Sequence, residues 1–282
     1  MRSSLGGTSI LLIILALLVL ASGIGLIYYS AVFHPDQLYA QATATAQTVR
    51  VAQAQTSGTA NAQTTGTSQA YANATATAQA VATAQAMATT TALQNIYNQA
   101  TSGAPILNDP LNGNNIYHWD VGNASLGGRC GFKAGAYHVI EPNKSYYLSC
   151  LAETTNFSNF VFQVQVTIIQ GDEGGLIFRA SGAKLYSFGF NREGLFSFII
   201  SKNNNPGKPL IFGPNSAINT GLNQPNLLTV IARDSTFYLY INKQYVDTVR
   251  DSSYHSGRIG VYAAYSTHYT DVAFNDAQVW QL

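Results

Sequence analysis

The sequence predicts an all-β domain at its C-terminus, an antiparallel β-sandwich, preceded by one transmembrane helix and a low-complexity, partly helical stalk. Three observations carry that reading. The 282 residues fall into three unlike pieces: 1–35 almost wholly apolar, 36–104 rich in Ala, Thr, Gln and Ser, and 105–282 mixed as in a globular domain. In the last piece short β-rich runs follow one another with turn residues between them, and helical periodicity is lost. That piece also holds 12 of the 14 Lys and Arg, 12 of the 13 Asp and Glu, and 26 aromatic residues, ample bulk for a core. Its formal charge is zero (12 − 12), with no basic stripe, so no nucleic-acid partner is expected.

The run Ile10–Phe33, ILLIILALLVLASGIGLIYYSAVF, carries no charge over 24 residues. As a helix it is about 36 Å long, enough to cross a hydrocarbon core of about 30 Å. Arg2 precedes it, Tyr28 and Tyr29 lie near its outer end, and Asp36 follows. The positive-inside bias then sets the N-terminus in the cytoplasm. A single-pass anchor in the cell membrane with an extracellular C-terminal domain is expected. A cleaved signal peptide competes through the small residues Ala21–Gly23, but the apolar character continues past them.

From Gln37 to Asn108 the only charged residue is Arg50, and the repeated unit is close to ATAQA, as in ANATATAQAVATAQAMA at Ala72–Ala88. Large side chains are scarce, so the tract cannot bury a core of its own. Alanine at every second position gives neither a coiled-coil seam nor a strand with a face worth burying. Ala and Gln favour helix and Thr costs a few tenths of a kcal/mol each, so partial helix is expected, broken near Thr56–Ala60 and Thr64–Ser68. A spacer of about 65 residues reaches roughly 100 Å as helix and roughly 45 Å as coil.

The Gly-, Pro- and Asn-rich stretch Thr101–Asn115 marks a junction. Beyond it, Asn159–Ile169 alternates Phe160, Phe162, Val164, Val166 and Ile168 against Val161, Gln163, Gln165 and Thr167, a strand with one buried face. GGLIFRAS, KLYSFGFN, GLFSFIIS, NLLTVIAR, STFYLYINKQYVDTVR, GRIGVYAAY and DVAFNDAQVW follow the same habit. Ten or more strands with no long helix make an antiparallel sandwich over 105–282. Cys130 and Cys150 are the only cysteines. In an exported domain they read as a disulfide, with two buried thiols as the alternative.

The stretch Asn226–Trp280 resembles the concanavalin A-like jelly rolls of the laminin-G and 3-keto-disaccharide hydrolase type. The likeness rests on the hairpin YINKQYV (Tyr240–Val246), the strand GRIGVY (Gly257–Tyr262), a closing Phe-to-Val strand (Val272–Val279) and, upstream, GDEGGLIFRA (Gly171–Ala180). It implies a jelly-roll fold over about 107–282, and either a carbohydrate-binding module or an enzyme acting on oxidised disaccharides. The order anchor, Ala/Thr/Gln tract and sandwich is similar to that of Chloroflexota surface proteins, and a structural surface-layer or filament role is a third expectation.

Related jelly-roll glycosidases set two carboxylates on one face of a strand about 5 Å apart. Here Asp172 and Glu173 are adjacent, which in a strand points them apart, and no nucleophile, phosphate-loop or dinucleotide motif occurs. Binding is therefore expected over catalysis. Arg179, ending an otherwise apolar strand, suits a sugar hydroxyl or a carboxylate, or else an ion pair with Glu173 or Glu193. Tyr186, Phe188 and Phe190 share one face, to stack on a sugar or to fill the core. Asp172, Asn191, Asp251 and His255 fall in loops that rim such a face. No cofactor is expected: His and Cys lack zinc spacing, and no Asp-dense loop suits calcium.

Overall fold

The computed structural model describes residues 65–202 and 205–282. The run Ile10–Phe33 lies outside them, and among the described residues no helix is long and apolar enough to cross a membrane. Thr65–Ala100 is a single helix, α1; its contacts divide at Thr89, and its last turns, from Thr90, belong to the unit that holds the sandwich. It runs through Gly66, Thr67 and Ser68, where a break near Thr64–Ser68 was expected; Thr56–Ala60 lies outside the described residues. Threonine is accommodated by turning its hydroxyl onto the helix itself: Thr77, Thr83 and Thr89 donate to the carbonyls of Asn73, Gln79 and Gln85 at 2.8–3.0 Å.

The last turns differ in kind from the rest. Leu93, Ile96, Tyr97 and Ala100 recur at i, i+3, i+4 and i+7, the apolar stripe of a helix that covers something. Tyr97 and Ala100 pack on Val161, Ile231, Tyr240 and Trp280. Tyr240 Oη donates to the Leu93 carbonyl at 2.8 Å and Tyr97 Oη to Gln163 Oε1 at 2.8 Å.

The strands of the sandwich are β1 (Leu107–Asp109), β2 (Gly122–Asn123), β3 (Arg129–Lys133), β4 (Ala136–Glu141), β5 (Tyr146–Leu151), β6 (Phe160–Gln170), β7 (Glu173–Ser181), β8 (Lys184–Asn191), β9 (Leu195–Lys202), β10 (Asn205–Pro214), β11 (Pro225–Arg233), β12 (Thr236–Ile241), β13 (Gln244–Arg250), β14 (Arg258–Tyr265) and β15 (Thr270–Gln281). Among the described residues they form two antiparallel sheets. One has nine strands in the order β13-β12-β11-β6-β15-β4-β3-β2, with β1 beside β15; the other has six, β10-β9-β8-β7-β14-β5. Neighbours that are distant in sequence, such as β6 beside β15 and β7 beside β14, give the crossed connections of a sandwich.

The core lies between the sheets. Phe160, Phe162, Val164, Val166 and Ile168 of β6 are wholly buried there, as the alternation predicts. Phe178, Tyr186, Phe198 and Phe237 pack ring on ring with centroids 4.8–5.8 Å apart. Asn242 and Lys243, both at positive φ (51° and 65°), close the β12–β13 hairpin in the conformation that matches strand twist. β10 was not foreseen, because Pro206, Pro209 and Pro214 read as loop; it pairs only with β9 and lies on the sheet edge, where missing N–H groups are tolerated.

Cys130 and Cys150 form a disulfide across 20 residues, tying β3 in the larger sheet to β5 in the smaller. Closing a loop of that length stabilises by about 3 kcal/mol in the chain-entropy model. Cys130→Ala/Cys150→Ala is expected to lose about that much, read as a lower urea midpoint at unchanged slope. An unchanged midpoint would show that the bridge does not restrain the unfolded chain.

Candidate functional site

The side of the six-stranded sheet turned away from the core has an unusual row. Tyr262 (β14), Gly175 (β7), Gly189 (β8), Ser197 (β9) and Phe212 (β10) are register partners across five strands. The two glycines leave a trough, and the Tyr262 ring lies in it. A Cβ on Gly175 would come within 2.8 Å of Tyr262 Cε1, and one on Gly189 within 2.9 Å of Tyr262 Cζ. The row therefore needs glycine twice for a side chain on a third strand.

Lying in the trough aims the Tyr262 hydroxyl at Glu173, to which it donates at 2.7 Å; Ser197 Oγ approaches the same oxygen, Glu173 Oε1, at 3.5 Å. Burial pushes the Glu173 carboxyl above the usual range, against the lowering effect of both hydroxyls. Burial and the neighbouring carboxylate drive the Tyr262 phenol well upward. Glu173 Oε2 has no hydrogen-bond partner among the described residues. Asn191 is the register partner of Glu173 on β8, and its Oδ1 accepts from the Leu195 N–H at 2.9 Å. At the β9–β10 side the face turns apolar and open: Phe212 is 69% exposed and Leu195 41%. Carboxylate, hydroxyls and amide beside an exposed ring make a surface that can hydrogen-bond one edge of a planar ligand and cover its apolar side.

The residues singled out from sequence separate into three places. Glu173 and Asn191 stand together on this face. Asp172, one residue before β7, turns the other way and holds the β14–β15 loop. Its carboxylate accepts from the N–H groups of Ser266, Thr267 and His268, from the Thr267 hydroxyl, and from His268 Nδ1, at 2.6–3.1 Å. Burial works to raise the Asp172 pKa, but these donors outweigh it and hold the group far below the usual range.

Arg179, Tyr186 and Asp251 meet at the other end of β7, about 20 Å of extended chain from Glu173. Arg179 is 1% exposed and sits in a bulge at φ 49°. Its guanidinium donates to the Ser158 carbonyl at 2.7 and 3.2 Å and to the Tyr254 carbonyl at 2.9 Å, and lies 5.0 Å from the Phe237 ring centre. Neither Glu173 nor Glu193 reaches it; Glu193 pairs with Arg192. Tyr186, with Phe188 and Phe190, lies in the core. Its hydroxyl donates to Asp251 at 2.5 Å and accepts the Tyr254 N–H at 3.1 Å. Arg179 and Tyr186 thus clamp the two backbone groups of Tyr254 and fix the β13–β14 loop. Burial would raise the Asp251 pKa, but bonds from Tyr186 and Ser253 bring it below normal. His255 is an exposed residue of that loop.

Sequence reasoning missed Tyr262, Ser197 and Phe212. The signal for Tyr262 was the pair of glycines, which leaves space only a neighbouring strand can fill. Among the described residues no group of three His, Cys, Asp or Glu is placed to hold a metal ion.

No protein-family model matches the chain. No characterised protein matches its sequence either. Solved structures are similar in shape. The carbohydrate binding module CBM66 from Bacillus subtilis superimposes with a TM-score of 0.49 at 16% identity, over 58% of this chain and 95% of that one. A Bacillus subtilis protein of unknown function with a galectin-like fold gives 0.49 at 14% identity, over 64% and 96%. The Bacillus licheniformis β-glucanase gives 0.44 at 10% identity, over 64% and 100%. At such identities a shared ligand does not follow.

Proposed function

We propose that this chain is a carbohydrate-binding module held at the cell surface. The anchor is residues 1–35, spanning once through Ile10–Phe33; the stalk runs from residue 36 to the docked last turns of α1, and the extracellular sandwich, of the jelly-roll, laminin-G-like kind, follows. The observation that carries the binding reading is the outer row of the six-stranded sheet. There Glu173 Oε2, Ser197 and Asn191 stand ready for hydroxyls beside the exposed Phe212 ring. A saccharide presents that combination of hydroxyl edge and C–H face. A single carboxylate on the face among the described residues, with Asp172 committed to a loop, favours binding over hydrolysis.

Affinity electrophoresis of the purified chain through neutral plant and cell-wall polysaccharides tests it. Phe212→Ala is expected to weaken retardation about fivefold, from the lost ring contact at roughly 1 kcal/mol. Glu173→Gln is expected to weaken it at least tenfold, from a charge-assisted bond of about 1.5–3 kcal/mol. Binding that neither substitution alters would remove this face from the function, and the absence of retardation in every polysaccharide would remove the function itself.

A further inference from the structure

We propose a second, anion-selective saccharide site on the outer face of the nine-stranded sheet, at β3 and β4. Arg129, Gly131 and Lys133 alternate on the outward side of β3, and His138 of β4 is the register partner of Gly131. Between them lies a cavity of about 250 Å³ lined by Arg129, Gly131, Phe132, Lys133, His138 and Ile140. Gly131 makes the opening: a Cβ there would meet only Val121 Cγ1, at 3.9 Å. No carboxylate lines the cavity, and neither Arg129 nor Lys133 has an ion-pair partner among the described residues. Two unneutralised cations thus flank a hollow in a domain whose formal charge is zero.

His138 adds direction. It is 9% exposed, and its Nδ1 lies 2.7 Å from Asp271 Oδ1 on β15. That carboxylate accepts from Nδ1 and fixes the ring, which leaves Nε2 without a partner among the described residues. A sugar hydroxyl, which can both donate and accept, is able to bond to that nitrogen. Arg129 and Lys133 then hold an acidic substituent of the same sugar, by a forked contact from Arg and a point charge from Lys. The ligand class is therefore a sugar unit bearing a carboxylate or a sulfate ester. The saccharide part of this assignment rests on the proposed function; the anionic part stands on β3 alone.

Titration of the full chain at physiological ionic strength with polygalacturonate, dextran sulfate, unmodified dextran and sodium sulfate tests the proposal. At least one acidic polymer is expected to bind at least about tenfold more tightly than dextran, and which of the two does so identifies the acidic group. Arg129→Ala/Lys133→Ala is expected to remove that preference. Gly131→Leu, which fills the cavity while keeping both charges, is expected to abolish the preference for the acidic polymer. Full binding by Gly131→Leu would overturn the site in favour of diffuse surface charge. Sodium sulfate competing as well as the polymer's repeating unit would overturn the saccharide assignment. An unchanged preference in Arg129→Ala/Lys133→Ala would overturn the site, and the retardation by neutral polysaccharides tests the other face separately.

Discussion

Arg179→Met is expected to destabilise the sandwich by about 3 kcal/mol while leaving polysaccharide affinity per folded molecule unchanged. The side chain is buried, and its three donors serve two main-chain carbonyls, Ser158 and Tyr254. Methionine conserves most of the volume, so the effect isolates the polar contacts. Hydrogen bonds from a charged donor contribute about 1.5–3 kcal/mol, and the contact with Phe237 adds up to about 1 kcal/mol. A urea denaturation series reads the loss, and the same samples in affinity electrophoresis read the binding. Unchanged stability with abolished retardation would assign Arg179 to a ligand after all.

Asp172→Asn is expected to cost about 2–3 kcal/mol at neutral pH, because an amide offers one acceptor oxygen where the carboxylate offered two, and turns N–H groups toward other donors. The cost depends on pH with a definite sign. The folded-state pKa of Asp172 lies below its unfolded value. Its contribution is therefore complete above the ordinary carboxylate range, near about pH 4, and is lost as the pH falls toward the folded value. Glu173 works in the opposite sense. Its folded-state pKa is raised, so the folded state binds its proton more tightly and that contribution fades as the pH rises through the carboxylate range. The difference in urea midpoint between wild type and Asp172→Asn is thus expected to shrink steadily on acidification. A difference independent of pH would mean that the carboxylate charge plays no part in holding the β14–β15 loop.

The two-sheet sandwich was legible because its strands are long enough to alternate. In β6 every residue of the apolar series is buried, and β7, β8, β9 and β11 to β15 begin and end near the runs read as strands. The disulfide was legible from a lone pair of cysteines read together with the export expectation for the N-terminal run. The docking of α1 was not, although two signals bore on it. The outward series of β6 begins with Val161 among polar residues, and Leu93, Ile96, Tyr97 and Ala100 make a helical stripe inside a tract otherwise without one; each is the cover for the other. β10 escaped because prolines mask an edge strand. The candidate face was only partly legible. Glu173 and Asn191 come from one short stretch of chain, but Tyr262, Ser197 and Phe212 join them only through strand register, which a single strand's pattern does not encode.

The seating of the last turns of α1 also sets where the chain first grips the sandwich. The turns from Thr90 onward hold the nine-stranded sheet through the Tyr240–Leu93 bond and the Tyr97–Gln163 bond. Leu93 and Tyr97 lie ahead of β1 in the chain, and β1 holds to β15 over three register pairs. A pull applied to the chain at Thr90 would therefore load β6, β11, β12 and β15, strands held on both sides, before it reached the short β1.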